Sequence, residues 1–364
     1  MKVLLVSNMY PDDKHPSYGI FVKRFADELD AIGILHQESV MYQHERKVSK
    51  LWGYIVFYVS TFFKVLFCKY DCIYVHQASH SSPPVIAAAK IRKPKIYTNV
   101  HGCDVSPENA SQQKMQKFTI SILKNTDRVI VPSEYYREYV KRKFSISDSK
   151  IYIYPSAGID RKVFYPKTKD QEMALKRKYQ LDKGTVVFGM AGRISEGKGW
   201  DTFVKAIAIL KKENINAVFV IVGSGREEEK LQTLINDYQL TDDIVRIGLL
   251  PPRDLCDFYN AIDYFVFPTR RESESLGLVA IEAMACGTPV IASDFAAPKY
   301  YVKDGINGYK FRVNDSRQLA DTMKKCCIYI NEYDYQKLHD GAIETAEQYS
   351  NVNIRKKLEI IMKI

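Results

Sequence analysis

The stretch Asp263–Ala292, DYFVFPTRRESESLGLVAIEAMACGTPVIA, decides the fold. Tyr264–Phe267 is a short apolar run closed by Pro268, and Pro289–Ala292 is a second such run. Between them Gly277–Cys286 reads as a helix. Strand, helix and strand in that order make the crossover unit of a parallel sheet. One detail resists so plain a reading. Glu272, Glu274 and Glu282 bracket Gly277, and Glu282 sits among Ala280, Ile281, Ala283, Met284 and Ala285. A carboxylate has little reason to lie on that face of an ordinary helix.

The same alternation runs outward in both directions. Toward the N-terminus the expected strands are Lys2–Val6, Gln37–Met41, Cys72–Val75, Lys95–Asn99, Arg128–Val131 and Ile151–Tyr154, with helices such as Ile20–Ala31 and Gln112–Lys124 between them. The second half repeats the theme with Val186–Ala191, Ala217–Val222 and Ile244–Gly248, and with helices near Trp200–Lys212, Glu227–Gln239, Leu255–Ala261 and Arg317–Glu332. Two such sets predict an α/β protein of two doubly wound, Rossmann-like domains facing across a cleft. The charged stretch Pro166–Lys183 is poor in strand signals and marks the boundary. The expected domains are residues 1–170, 171–345, and a C-terminal helix in 346–364 that packs back on the N-terminal domain. Ligands of open α/β sheets bind beyond the carboxyl ends of the strands, which places the site in the cleft.

Composition narrows the class. The 364 residues suffice for two cores, and seven scattered cysteines without a C-x-x-C pair argue against zinc or a disulfide framework. The opening MKVLLVSN turns polar too soon for a signal peptide and reads as an edge-to-core strand. A reducing, cytoplasmic setting follows. The net charge of +10 is unevenly spread: residues 1–165 hold 24 Lys+Arg against 15 Asp+Glu. An anionic partner is therefore expected on the N-terminal half. The basic runs Lys90–Lys95 and Lys141–Lys143 lack interleaved aromatics, so nucleic acid is disfavoured and an anionic membrane surface preferred. Leu51–Cys68, LWGYIVFYVSTFFKVLFC, is long enough to span a bilayer but aromatic-rich and interrupted by Lys64. Three readings stay open for it: a packed helix, a packed helix that also touches membrane, and a true span.

The chemistry-bearing residues lie after strands. In FGMAGRISEGKGW, Phe188–Trp200, neither a Walker loop nor a dinucleotide fingerprint is present. Arg193 and Lys198 nevertheless occupy a glycine-rich turn at a strand's carboxyl end, where two cations suit a diphosphate. The backbone amides at Ser275-Leu276-Gly277-Leu278 offer a second anion site at a helix start. A diphosphate repels carboxylates, so Glu274 is expected on sugar hydroxyls. Glu282, roughly two turns on and about 10 Å away, is expected on hydroxyls across the diphosphate, such as a ribose. Glu272 reads as a surface residue or a partner of Arg270 and Arg271.

These residues carry a resemblance. The C-terminal half is similar to the retaining family-4 glycosyltransferases of GT-B fold. The likeness rests on G-R-x-x-x-x-K-G at Gly192–Gly199, V-G-S-G at Val222–Gly225, DYFVFPT at Asp263–Thr269, and the E-x7-E of Glu274–Val290. GIFVKRFADEL at Gly19–Leu29, TNVHGCD at Thr98–Asp104 and AGID at Ala157–Asp160 extend it into the first half. The resemblance implies donor contacts by Gly19, Gly192, Arg193, Lys198, Gly223, Glu274, Ser275, Leu276, Gly277, Leu278 and Glu282. It implies an active-site His101 beside the donor sugar, with Arg193, Lys198 and Glu274 as its catalytic companions. Three positions depart from the family pattern: Tyr18-Gly19 for a double glycine, Glu274-Ser275-Leu276-Gly277 for E-G-F-G, and Ala296-Ala297-Pro298-Lys299-Tyr300-Tyr301-Val302 for G-G-x-x-E-x-V.

The expected activity is transfer of a hexose-type sugar from a nucleotide-diphospho-sugar, UDP-linked by preference, with retention. No two aspartates are separated by one residue, so the D-x-D of metal-dependent transferases is missing and neither metal nor cofactor is expected. The expected acceptor is a saccharide, free or linked to lipid pyrophosphate, in cell-surface polysaccharide synthesis at the inner face of the plasma membrane. The alternatives are a nucleotide-sugar epimerase of the same fold and a non-catalytic membrane-associated scaffold.

Overall fold

The structure is a computed structural model that describes residues 1–181 and 184–363. The chain divides into two compact units, one of Met1–Ala157 with the residues from Ile354 onward, the other of Gly158–Asn353. The division lies before the expected boundary because 166–183 is not a linker throughout. Lys169–Lys178 is a helix with a capping box of Thr168 and Gln171, and Lys167 is tied to Asp257 and to the Asn260 side chain in the second unit. The last expected linker residues, Asp182 and Lys183, lie outside the described residues, as does Ile364.

The first unit holds β1 (Lys2–Ser7), β2 (Leu35–Val40), β3 (Cys72–His76), β4 (Ile96–Asn99), β5 (Arg128–Val131) and β6 (Ile151–Ile153). They form one parallel sheet in the order β2-β1-β3-β4-β5-β6. β1 is therefore interior, between β2 and β3, and everything from Val3 to Ser7 is buried. Helices on both faces explain such unbroken apolar runs. On one face Phe25 and Leu29 of the helix Ile20–Ala31 meet Tyr74, Tyr97 and Tyr154. The end of the helix Asn351–Lys363 joins this layer through Ile354, Leu358, Ile361 and Met362. Arg355 adds a two-pronged bond to Glu28, at 2.7 and 3.1 Å.

On the other face lies the long helix Lys47–Phe67, which contains most of the ambiguous apolar stretch. Phe57, Thr61 and Val65 are sunk into the core, and the Thr61 hydroxyl lies 2.8 Å from Ser39 on β2. β2 leads into this helix and β3 leads out of it, so it packs on the sheet as an ordinary crossover. Beside it the helix Ala78–Ala89 carries Pro83 and Pro84 in its interior. Proline removes a helical donor there, which hides this helix from any propensity reading.

The second unit holds β7 (Val187–Ala191), β8 (Val218–Val222), β9 (Ile244–Ile247), β10 (Tyr264–Phe267), β11 (Val290–Ser293) and β12 (Gly308–Phe311). The order is β12-β11-β10-β7-β8-β9, again parallel throughout. The order reverses between β7 and β10, the switch point where open α/β sheets bind ligands. In the first unit the reversal falls between β1 and β3. The edge strand β12 is absent from the sequence reading. Its four residues, GYKF, begin with a glycine at φ 155 and include a lysine, so neither length nor pattern marks a strand.

Candidate functional site

At the switch point of the second unit, two loops leave the carboxyl ends of β7 and β10 and are stapled together. The Arg270 amide donates to the Gly197 carbonyl at 2.8 Å. Gly199, at φ 80, faces the Pro268 carbonyl so closely that a Cβ would lie 1.8 Å from its oxygen. Arg270 Nη1 donates to both carboxylate oxygens of Asp201, at 2.7 and 3.0 Å, which helps to order the staple. The turn after β8 joins from the other side. Gly223, at φ 120, lies under the Gly192 carbonyl, where a Cβ would sit 2.0 Å from the oxygen. Both glycines are required by backbone approach.

This framework brings the expected residues of the second unit together. Lys198 Nζ and Glu274 Oε2 meet at 2.6 Å, both half-buried. Arg193, on the same turn as Lys198, is exposed and has no ion pair among the described residues. The helix Leu278–Ala285 follows, with Gly277 in the left-handed region (φ 76, ψ 52) as its N-cap. No side chain among the described residues caps it; the Ala280 amide turns back to the Gly277 carbonyl at 3.0 Å, and the helix start suits an outside acceptor at the amides before it. The buried Tyr301 hydroxyl donates to the Gly277 carbonyl at 3.4 Å and holds the cap in place. Leu276 is buried, while Ser275 and Leu278 are half-buried. Tyr300, where the family pattern has a glutamate, is exposed instead.

Glu282 has a protein partner that the sequence reading did not find. It is half-buried, and the Tyr259 hydroxyl donates to its Oε2 at 3.3 Å. Burial, and then the adjoining Glu282 charge, raise the Tyr259 hydroxyl well above its usual value. The apolar setting of Glu282 thus has a partial account within the fold. The two residues stand far apart in sequence, so no local pattern announces them.

In the first unit, Gly19 and His101 lie near the carboxyl ends of β1 and β4. Gly19 starts the helix Ile20–Ala31 at φ 72, with the Met9 carbonyl carbon 2.6 Å from where a Cβ would be. Phe21 from that helix lies over the His101 ring, centroids 4.7 Å apart. His101 caps the short helix Gly102–Val105: its ring accepts from the Asp104 amide, and Asp104 Oδ2 accepts from the His101 amide at 3.1 Å. Oδ2 also accepts from the Ala78 amide at 3.0 Å. The remaining His101 nitrogen, Nε2, lies 3.0 Å from His76 Nδ1. One ring donates to the other across this contact. His76 Nε2 is buried without a partner among the described residues, as is Asp104 Oδ1.

Burial sets the charge of this group. It lowers His101 to about 4 and His76 well below its usual value, with the His101 ring as a second influence on His76. It raises Asp104 to about 7 against two hydrogen bonds that pull the other way. Neutral imidazoles result at ordinary pH. Both His101 nitrogens are engaged within the unit, so a base role would require one of those bonds to open. His76 was left out of the sequence-derived site. Its signal was present: Val75-His76 ends β3 as Val100-His101 follows β4, and parallel neighbours bring such ends side by side.

Comparison with known proteins bears on the family and the fold. Residues 171–348 match the family model described as Glycosyl transferases group 1, and residues 19–163 match Glycosyltransferase Family 4. A D-inositol 3-phosphate glycosyltransferase of Paenarthrobacter aurescens is 37% identical over 171 residues, 46% of this chain and 41% of that one. A GDP-mannose-dependent monoacylated alpha-(1-6)-phosphatidylinositol monomannoside mannosyltransferase of Corynebacterium glutamicum is 30% identical over 54% of this chain and 52% of its own. The chain thus spans about half the length of these curated relatives, or less. Among solved structures, sucrose-phosphate synthase from Thermosynechococcus elongatus superposes with TM-score 0.79 at 20% identity, covering 100% of this chain and 98% of that one. Anabaena HepE in complex with UDP-glucose does so with TM-score 0.75 at 18% identity, covering both chains fully at 100%. At such identities the likeness is one of fold.

Proposed function

Because the chain belongs to the family-4 glycosyltransferases of GT-B fold, we propose that it transfers a hexose-type sugar from a UDP-linked donor to a saccharide or lipid-linked saccharide, with retention. The observation that carries this reading is the Lys198–Glu274 pair at the β7/β10 switch point, beside the unpaired Arg193 and the uncapped helix start at Gly277. A diphosphate entering there takes Arg193 and the helix amides as donors and draws Lys198 away from Glu274. Glu274 is then free to accept from sugar hydroxyls. Glu282, on the helix that follows, is assigned to the ribose hydroxyls.

In the transfer step an acceptor oxygen bonds to the anomeric carbon from the side on which the carbon–oxygen bond to phosphate breaks. The departing phosphate oxygen takes the acceptor's proton. Arg193, Lys198 and the helix dipole stabilise the charge that develops on that oxygen, so no metal is assigned a part. His101, held neutral by burial, is assigned no part as a base.

The test is a panel of UDP- and GDP-sugars with saccharide and lipid-linked acceptors, read by product mass with and without EDTA. The reading expects a UDP-sugar to be consumed, transfer to survive EDTA, and Glu274→Ala to lose it. Preference for GDP-sugars would overturn the donor assignment. An isomerised donor without transfer would overturn the reaction. Full turnover in both Glu274→Ala and Arg193→Ala would overturn the site.

A further inference from the structure

The helix Lys47–Phe67 buries one face and leaves the other bare. Its inner face carries Phe57, Thr61 and Val65. Its outer face carries Val48, Trp52, Val56, Val59, Phe63 and Phe67, all exposed, with Trp52 at 62% and Phe67 at 71%. Their spacing of three and four residues makes one apolar stripe about 30 Å long that winds by about 100° around the helix. Solvated helices carry charge on that face, and a contiguous apolar strip of this length marks an interaction surface.

The charge around the stripe identifies its partner. From Arg46 to Tyr70 the chain has five cations, Arg46, Lys47, Lys50, Lys64 and Lys69, and no acidic residue. Arg92 donates to the carbonyls of Leu66 and Cys68 at 3.2 and 2.6 Å, which brings the segment Lys90–Lys95 to the same helix end. The stripe is therefore bounded by cations at both ends. A cavity of about 890 Å³ opens along the helix, with Val48, Trp52 and Val56 in its wall and Arg46 and Lys64 among its polar groups. Cations beside an apolar band suit a layer that presents anionic headgroups over hydrocarbon. A second copy of this chain would bring the same cations against each other.

We infer that this helix seats the first unit on an anionic lipid bilayer. It lies in the plane of the interface with Trp52 and Phe63 at the headgroup–acyl boundary. It does not cross, because its inner face is fixed to the sheet through Thr61 and Ser39 and through Lys64, whose ammonium donates to the Glu38 carbonyl at 2.8 Å. The inference does not rest on the transferase reading, since it uses none of the site residues.

The experiment uses the full chain with vesicles of phosphatidylcholine, with and without phosphatidylglycerol. Sedimentation with the anionic vesicles is expected, weakened by salt. Trp52 fluorescence should shift to the blue on binding and the shift should vanish in Trp52→Phe, because Trp200 is buried. The combined Val56→Glu, Val59→Glu and Phe63→Glu variant should bind at least about ten-fold less with an unchanged melting temperature. Lys47→Glu with Lys50→Glu, at exposed positions, gives a second readout should the first variant misfold, and should lose binding to anionic vesicles. Absence of wild-type binding, or wild-type-level binding in the charge-reversal variant, would overturn the inference. So would a concentration-dependent dimer that the glutamates abolish while vesicles remain unbound.

Discussion

The two units are wound alike, yet the groups gathered beyond their strand ends are kept in different electrical states. In the second unit Lys198, Glu274 and Arg193 are charged, reachable by water, and held by two stapled loops. In the first, His76 and Asp104 are buried, His101 is half-buried beside Phe21, and burial pushes all three toward neutrality. The parallel sheet supplies a place beyond its strand ends in both. Side chains decide whether that place receives an anion or neutral hydroxyls. The units also differ in construction: the second is one continuous segment, whereas the first is completed by residues from Ile354 onward.

The sharpest test of that difference is truncation before Ile354. It removes Ile354, Leu358, Ile361 and Met362 from the first unit's core. At ~1.5–3 kcal/mol for each buried side chain, the loss is about 6–12 kcal/mol, comparable to a domain's whole stability. Hydrogen exchange should show the first unit opened and the second protected. Equal protection in both would break the comparison.

The charged half is tested next. Arg193→Ala should lower kcat about 10²–10³-fold with no change in melting temperature, because the residue is exposed and unpaired among the described residues. Lys198→Met should lose activity to a similar degree and also destabilise the second unit by about 1–2 kcal/mol, since Glu274 stays half-buried without its partner. Steady-state kinetics with thermal melts would separate the two.

The neutral half predicts a pH effect with a definite sign. The folded value of Asp104 is raised to about 7, so its contribution is full below about pH 4 and is lost as pH rises through 7. The folded value of His101 is lowered to about 4, so its contribution is full above about pH 6.5 and is lost as pH falls through 4. Between those limits the two slopes oppose each other. Asp104→Asn removes the falling one, and stability should then climb with pH by about 1.4 kcal/mol per unit more than in the wild type. Urea midpoints from pH 4 to 6.5 measure it, and unchanged slopes would mean that Asp104 titrates normally.

The smallest effect belongs to Ala296, which stands at φ 52 where the family pattern has glycine. Ala296→Gly relieves about 1 kcal/mol of left-handed strain and loses a similar amount through the more flexible unfolded chain. Its melting temperature should stay close to wild type.

Much of this architecture was legible because local patterns agree with the packing. Ile20–Ala31 and Trp200–Lys212 were bounded correctly, and Tyr264–Phe267 with its following helix disclosed the parallel sheet. The clustering of Gly192, Arg193, Lys198, Gly223 and Glu274 was also readable, since each follows or closes a strand end. What stayed hidden depends on distant partners. Tyr259 reaches Glu282 from another helix, Asp201 orders Arg270 across two loops, and His76 meets His101 only because β3 and β4 are neighbours. The interior prolines of Ala78–Ala89 contradict a helix that tertiary packing imposes.

The return of the C-terminal helix to the first unit bears on how the protein is made. A ribosome adds ~5–20 residues each second, so the roughly 200 residues between Ala157 and Ile354 occupy it for about 10–40 s. Throughout that interval the first unit's sheet is complete but the face under the helix Ile20–Ala31 lacks Ile354, Leu358, Ile361 and Met362, and that part of its apolar surface stands open to other chains. The intervening unit, by contrast, has all its parts as soon as it leaves the exit tunnel. The order of birth along the chain is therefore not the order of completion: the unit that starts first finishes last.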